Sequence, residues 1–381
     1  MKVLLVPMSA MAETAGPMSR CRLIAERLKS LDTEVATCIA RDVNYREIED
    51  VKNYCLDPPM PLGLPGFIAS RIFPIAQKLG VTSHKKVNSF DEVLWLTGNL
   101  DYKYLKRSVD QILNAIDTFK PDAVYSEFNI SAIIAAKKRG IRLCTTVSYP
   151  TQHDHAHNEK LSKGLNRLLA ELSMDRVESA LKLFDFADKR FCFSIKELEP
   201  FSDPGVVFCG SLKKVKEASG LRNKIIVYMG NGTISAKRML KVIKGAFRGM
   251  DHEVFLASSY LKEETVGNIH IAPRWDFNTL LDESVLFINH GGQNSMVDGL
   301  LHGVPQIVAP GKIFERRYNA EKLIENNAGR WIESNDFAPD KLLNVAREVI
   351  GSEEMRENAR ILGNKLMSAG GIDRIVENMQ L

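Results

Sequence analysis

Phe287-Ile288-Asn289-His290-Gly291-Gly292-Gln293-Asn294-Ser295 decides how this chain reads. An apolar run ends, two glycines follow, and a stretch able to continue as a helix to Leu301 comes next. That is a strand, a tight turn and a helix. Glycine lets a ligand approach the backbone closely. The first N–H groups of a helix are unpaired and carry the positive end of its dipole. Together they suit an anion such as a diphosphate. Ser295 adds a hydroxyl and His290 a ring N–H. Asp298, one turn on, offers a carboxylate for vicinal ribose hydroxyls. Gly-Gly alone would equally suit an ordinary turn with Asn294 or Ser295 as the cap. The addition of His290, Asp298 and Gly303-Val304-Pro305 favours the anion site.

Outward from this stretch, short apolar runs alternate with amphipathic ones. Lys224–Met229, Val254–Ala257, Leu286–Ile288 and Gln306–Val308 read as strands, and Gln293–Leu301 and Glu315–Glu325 as helices. The same grammar fills the first half. Val3–Val6, Val35–Ile39, Ala123–Tyr125 and Leu143–Val147 read as strands, and Met18–Lys29 and Ser131–Arg139 as helices. Such alternation implies parallel sheets covered by helices. The polar stretch Ser211–Arg222 parts the halves. The expected fold is α/β, with two Rossmann-like, doubly wound domains facing across a cleft. They span 1–210 and 222–364, and a helix in 365–381 packs back on the first. Ligands of such sheets bind outside the carboxyl ends of strands.

Composition removes other classes. A net charge of +4 over 381 residues, without a basic face, argues against a nucleic-acid partner. The six cysteines form no CxxC pair, which points away from a zinc site and towards a reduced, cytoplasmic compartment. Cys144, Cys192 and Cys209 lie in strand-like runs and read as inert core thiols. No segment is long and apolar enough to span a membrane. Two segments fit the alternation poorly. Pro58–Lys78 is apolar for a loop, which suits the acceptor side, through residues such as Phe67, or a peripheral membrane contact. Tyr149–Lys163 is polar and carries His153, His155 and His157; it reads as a solvated loop, with no metal expected there.

The stretch from His290 to Ala320 resembles the donor-site signature of family 1 glycosyltransferases and their relatives, among them the lipid II-forming GlcNAc transferases. The matching residues are His290, Gly292, Asn294, Ser295, Asp298 (Glu in the family), Gly303-Val304-Pro305, Glu315 and Asn319-Ala320. Arg316 stands where the family has Gln. Val227-Tyr228-Met229-Gly230-Asn231-Gly232-Thr233 resembles the loop that opens the family's second domain. Ala272-Pro273-Arg274-Trp275-Asp276-Phe277 resembles its base-binding loop, with Asp276-Phe277 in place of Pro-Gln. The resemblance implies a GT-B fold and transfer of a sugar from a nucleotide-diphosphate sugar, with UDP-sugar first, and no metal or other cofactor. It implies that Gly230, Thr233, His290, Gly291, Gly292, Gln293, Asn294 and Ser295 hold the phosphates and Asp298 the ribose. Glu315 and Arg316 then face the sugar. Trp275 or Phe277 either stacks on the base or fills core.

The first half matches more faintly. Gly16-Pro17-Met18-Ser19-Arg20 resembles the turn before the family's first helix, on the acceptor side, and Pro17 falls where the family has its catalytic His. Phe119–Glu127 resembles the strand whose last Asp partners that His, and Glu127 takes its place. Three routes to acceptor activation stay open: Glu127 directly, one of His153, His155 or His157 with Glu127 as partner, or no base. The acceptor is expected to be a small or lipid-like molecule. The alternatives are a nucleotide-sugar hydrolase or 2-epimerase on the same fold, and a non-catalytic sugar-nucleotide-binding subunit.

Overall fold

A computed structural model describes residues 1–9, 16–42, 45–60, 86–156, 158–215, 221–230 and 233–380. Among these, one compact unit comprises 1–60, 88–212 and 369–380, and a second comprises 86–87 and 213–368.

In the first unit the strands are β1 (Lys2–Pro7), β2 (Glu34–Ala40), β3 (Lys52–Leu56), β4 (Ala123–Glu127), β5 (Arg142–Thr146), β6 (Lys189–Cys192) and β7 (Val206–Phe208). They pair in the order β3-β2-β1-β4-β5-β6-β7, every ladder parallel. Val3, Leu4, Leu5 and Val6 are fully buried, as a parallel sheet covered on both faces requires. Leu4 and Val6 join one core with α3 (Tyr102–Phe119) and α4 (Ile130–Arg139). Val3 and Leu5 join the other with α1 (Gly16–Lys29). The helices start where side chains can cap them: Asp101 accepts from the Tyr104 N–H, and Asn129 from that of Ala132. A short helix, α2 (Phe90–Leu96), precedes α3, and α5 (Lys163–Glu171) follows β5. Between β5 and α5 the polar stretch expected as a loop folds into three 3-10 turns, Tyr149–Thr151, His153–His155 and Glu159–Ser162.

The second unit holds β8 (Lys224–Tyr228), β9 (Glu253–Ala257), β10 (Glu264–Val266), β11 (Ile269–Ala272), β12 (Ser284–Asn289), β13 (Gln306–Val308) and β14 (Gly329–Trp331), ordered β10-β11-β9-β8-β12-β13-β14. All ladders are parallel except the β10–β11 hairpin. Its helices are α6 (Ala236–Phe247), α7 (Phe277–Asp282), α8 (Gln293–Leu301), α9 (Phe314–Glu325), α10 (Pro339–Gly351) and α11 (Glu353–Ser368). α11 lies so close on α8 that a Cβ at Gly363 would fall 2.0 Å from the Leu300 carbonyl oxygen. That contact fixes α8 from behind. The last helix, α12 (Gly371–Gln380), belongs to the first unit. Ile375, Val376 and Met379 are buried in the α1 core, and Arg27 donates to Asp373 at 2.7 Å.

The six cysteines are free, and five of them are buried. Burial pushes the thiols of Cys144, Cys192 and Cys209 up, so they stay protonated and inert. Among the described residues no helix is long and apolar enough to cross a membrane.

Candidate functional site

In the second unit β9 lies on one side of β8 and β12 on the other, so the chain reverses its direction of winding between β8 and β12. Open α/β sheets bind ligands at the carboxyl side of this switch. The strand ends there are Tyr228 and Asn289, which pair in register.

Asn289 organises the turn that follows. It is fully buried. Its Oδ1 accepts the Gly291 N–H at 2.8 Å, and its Nδ2 donates to Gln306 Oε1 at 2.7 Å. Gln306 Nε2 then donates to the Met296 carbonyl at 2.8 Å. One buried amide pair therefore ties the turn to α8. Asn319 holds the turn from the far side, donating to the Gly291 carbonyl at 2.8 Å. Gly291 has φ +83°, and a Cβ there would come within 2.8 Å of both the Arg316 carbonyl oxygen and Val308 Cγ1. Only glycine fits. The N-cap of α8 is Gly292, which brings no capping side chain, and neither Asn294 nor Ser295 takes that place. The positive end of the α8 dipole thus opens onto the switch with no side-chain cap hydrogen bond.

His290 lies between two glycines. A Cβ on Gly230 would meet its ring at 3.0 Å, and one on Gly292 would meet Nε2 at 2.7 Å. Tyr228 meets the ring edge-on, centroids 5.6 Å apart. Nδ1 is buried and meets no side-chain partner among the described residues. Burial, and then the positive charge of Arg316, lower its pKa to about 3, while the Tyr228 backbone beside the ring pulls it up. The imidazole is therefore neutral at physiological pH, with one donor and one acceptor. Arg316, on the first turn of α9, donates from Nη1 to Thr233 Oγ1 at 2.5 Å. Burial lowers its own pKa. Glu315 beside it is exposed.

The remaining expected donor residues are more committed. Asp298 forms an ion pair with Lys213 at 2.6 Å. Trp275 gives its indole N–H to the Leu256 carbonyl at 3.1 Å and packs edge-on against Phe255. Phe277 leans on Tyr228 and Phe287. Both aromatics are half-buried, so each fills core with part of its surface. Asp276 caps α7, and the Thr279 hydroxyl that it accepts holds its carboxyl below the usual range.

The equivalent switch of the first unit lies between β1 and β4, where Pro7 pairs with Glu127. Glu127 stands at the strand end that the sequence indicated. It does not face solvent: it is 0% exposed, and both oxygens are engaged. Arg20 Nε donates to Oε1 at 2.6 Å, and the Thr146 hydroxyl donates to Oε2. Tyr125 and Thr146 share a hydrogen bond at 2.7 Å. Burial raises the Glu127 pKa, against the opposing pull of Arg20. Both carboxylate oxygens of Glu127 are thus taken up within the unit. Gly16 and Pro17 open α1, and Phe67 and His157 lie outside the described residues, as do Asn231 and Gly232.

His153 does not pair with Glu127 either. Its Nδ1 lies 3.3 Å from Asp185 and its Nε2 2.8 Å from Asp154. It lines a cavity of about 390 Å³ with Val147, Phe184, Asp185, Arg190 and Phe201. His155 packs on Tyr149 with the rings tilted by 47° and their centroids 4.4 Å apart. Among the described residues no three His, Cys, Asp or Glu side chains gather as a metal site.

The structural partners are what sequence reasoning missed: Asn289, Gln306, Lys213, Arg20, Thr146 and Asp185. Asn289 carried a signal, since a polar residue ending an apolar strand must find a partner. The others meet across folded distance and left none.

Residues 241–380 match the family described as "Erythromycin biosynthesis protein CIII-like, C-terminal domain". The chain is 23% identical over 307 residues to the NDP-glycosyltransferase YjiC of Bacillus licheniformis, covering 73% of this chain and 76% of that one. The fold resembles that of CalG4, the calicheamicin glycosyltransferase, with a TM-score of 0.76 at 15% identity over 100% of this chain and 97% of that one. It also resembles the spinosyn rhamnosyltransferase SpnG complexed with thymidine diphosphate, with a TM-score of 0.73 at 13% identity over the whole of both chains.

Proposed function

From the premise that this chain is a family 1-like glycosyltransferase of the GT-B fold, which moves a sugar from a nucleotide sugar to an acceptor, we propose how its own residues divide the task. The donor is a pyrimidine nucleoside diphosphate sugar, UDP- or dTDP-linked, held at the β8–β12 switch. The single observation that carries this is the start of α8 behind the Gly291-Gly292 turn, which has no side-chain cap, with the buried His290 ring against it. The diphosphate takes the α8 N–H groups and Ser295. Asp298 exchanges Lys213 for a ribose hydroxyl. Trp275 and Phe277 give the base an apolar flank, and Glu315 reads the sugar. Thymidine diphosphate in a neighbour of the same fold supports admitting dTDP beside UDP.

The acceptor is a small molecule with an apolar body and a hydroxyl, taken by the first unit. The cavity that His153 lines has the volume of a small-ligand site. His153 takes the acceptor proton, with Asp185 orienting the ring as a carboxylate does in other general-base pairs. Asp154 is largely exposed, so its contact with Nε2 can give way to an acceptor hydroxyl. Glu127 shapes the wall and does not move a proton. The leaving diphosphate is stabilised by groups of the chain itself, without a bound metal.

Nucleotide release from UDP-glucose and dTDP-glucose, with and without a panel of phenolic acceptors, tests the reading. Release that needs acceptor, and persists in a chelator, agrees with it. Release without acceptor would make the chain a hydrolase. No binding of any nucleotide sugar would remove the donor site.

A further inference from the structure

We infer that Arg316 is a ligand of the donor's β-phosphate and the cation that receives the charge of the leaving diphosphate, and not a reader of the sugar. This rests on the donor site proposed above. Arg316 is fixed from two sides. Its guanidinium donates to Thr233, in the turn between β8 and α6. Its backbone carbonyl packs against Gly291, in the turn between β12 and α8. It therefore links the two turns that flank the strand switch, where the diphosphate lies. Glu315, the residue before it, is exposed.

A second observation shows why a cation is required there. The start of α8 supplies only a partial charge. His290, squeezed between Gly230 and Gly292, is neutral and adds a single N–H. Arg316 is close enough to be the second cause of that neutrality. When the bond between the sugar's anomeric carbon and the β-phosphate oxygen breaks, its electron pair goes to that oxygen. The diphosphate leaves with one more negative charge. The acceptor oxygen forms the new bond to the anomeric carbon, and its proton passes to the base. A guanidinium already held in place meets the new charge without reorganising. Its planar fork matches phosphate oxygens.

Calorimetry on the full chain tests this, with UDP and dTDP set against uridine and thymidine. In Arg316→Gln, nucleoside affinity should hold while diphosphate affinity falls about 10- to 100-fold, the loss of a charged hydrogen bond. Arg316→Lys should lie between that variant and the parent. The His290 ring, followed by NMR, should titrate at higher pH in Arg316→Gln, and kcat should fall more than the donor KM changes. If Arg316→Gln does not fold, Arg316→Lys and Thr233→Val carry the test, each expected to weaken diphosphate binding several-fold. Unchanged diphosphate affinity in the folded variants overturns the inference. So does a loss confined to the intact nucleotide sugar, with UDP and dTDP binding kept. A parent chain that binds neither diphosphate would instead sink the donor site itself.

Discussion

The two sheets share one strand order at their centres, yet their switch points end in opposite ways. At the β1–β4 switch the polar groups satisfy one another: Glu127 takes Arg20 and Thr146, and Tyr125 takes Thr146. At the β8–β12 switch there are glycines where side chains would be, a helix without a side-chain cap, and a neutral imidazole buried between two of the glycines. Buried polar groups cost free energy unless they are paired. The first switch has met that cost with side chains of its own, and the proposed donor site needs the second to meet part of it with a ligand. Topology offers a site at both places, and the side chains decide which one is open.

The closed switch should break most severely. Arg20→Met leaves Glu127 ionised, fully buried and without a counter-charge, which costs roughly 3–5 kcal/mol at neutral pH. The sign with pH follows from the raised Glu127 pKa. Stability from such a group is complete below the unfolded-state pKa and is lost as pH rises through the folded-state value. The penalty of Arg20→Met should therefore shrink as pH falls and Glu127 takes up a proton. Denaturant midpoints at two pH values measure this; an equal penalty at both would contradict a buried ion pair.

Next comes the acceptor base. His153→Ala should lower kcat by about 100-fold or more while the donor KM stays unchanged. Normal turnover in that variant, with turnover lost in Glu127→Gln, would return the role to Glu127.

These two expectations also mark what the sequence could carry. The second unit's strand-turn-helix was legible because it is local: strand, turn and helix follow one another within a dozen residues. The parallel strands were legible for the same reason, as buried apolar runs. Short or edge strands such as β3 and β14 expose part of their length and gave no such run. Glu127 was placed at a strand end, but its partner Arg20 could not be read, because it lies 107 residues away along the chain. His153 was singled out, yet its partner Asp185 comes from a 3-10 segment beyond α5. Trp275 and Phe277 were left between base and core, and the structure gives part of each ring to the core.

Two smaller effects sharpen the contrast. Gly291→Ala meets both a positive φ and a carbonyl oxygen at 2.8 Å, so it should cost about 1–3 kcal/mol and impair donor binding. Gly140→Ala in the first unit has φ +62° but open space around it, and should cost only about 1 kcal/mol with donor binding kept. Thermal melts with and without dTDP compare them; equal effects would mean that the turn has no special fit. Ser295→Ala should weaken diphosphate binding by about 0.5–1.5 kcal/mol, read by calorimetry, because one neutral hydrogen bond is lost.

Hydrogen exchange with and without a nucleoside diphosphate compares the two switches within one experiment. UDP or dTDP should slow exchange at the amides from Gly291 to Met296 and around Gly230 and Thr233, and leave Met8 and the amides after Glu127 unchanged. Protection at the β1–β4 switch, with none at the start of α8, would contradict the account.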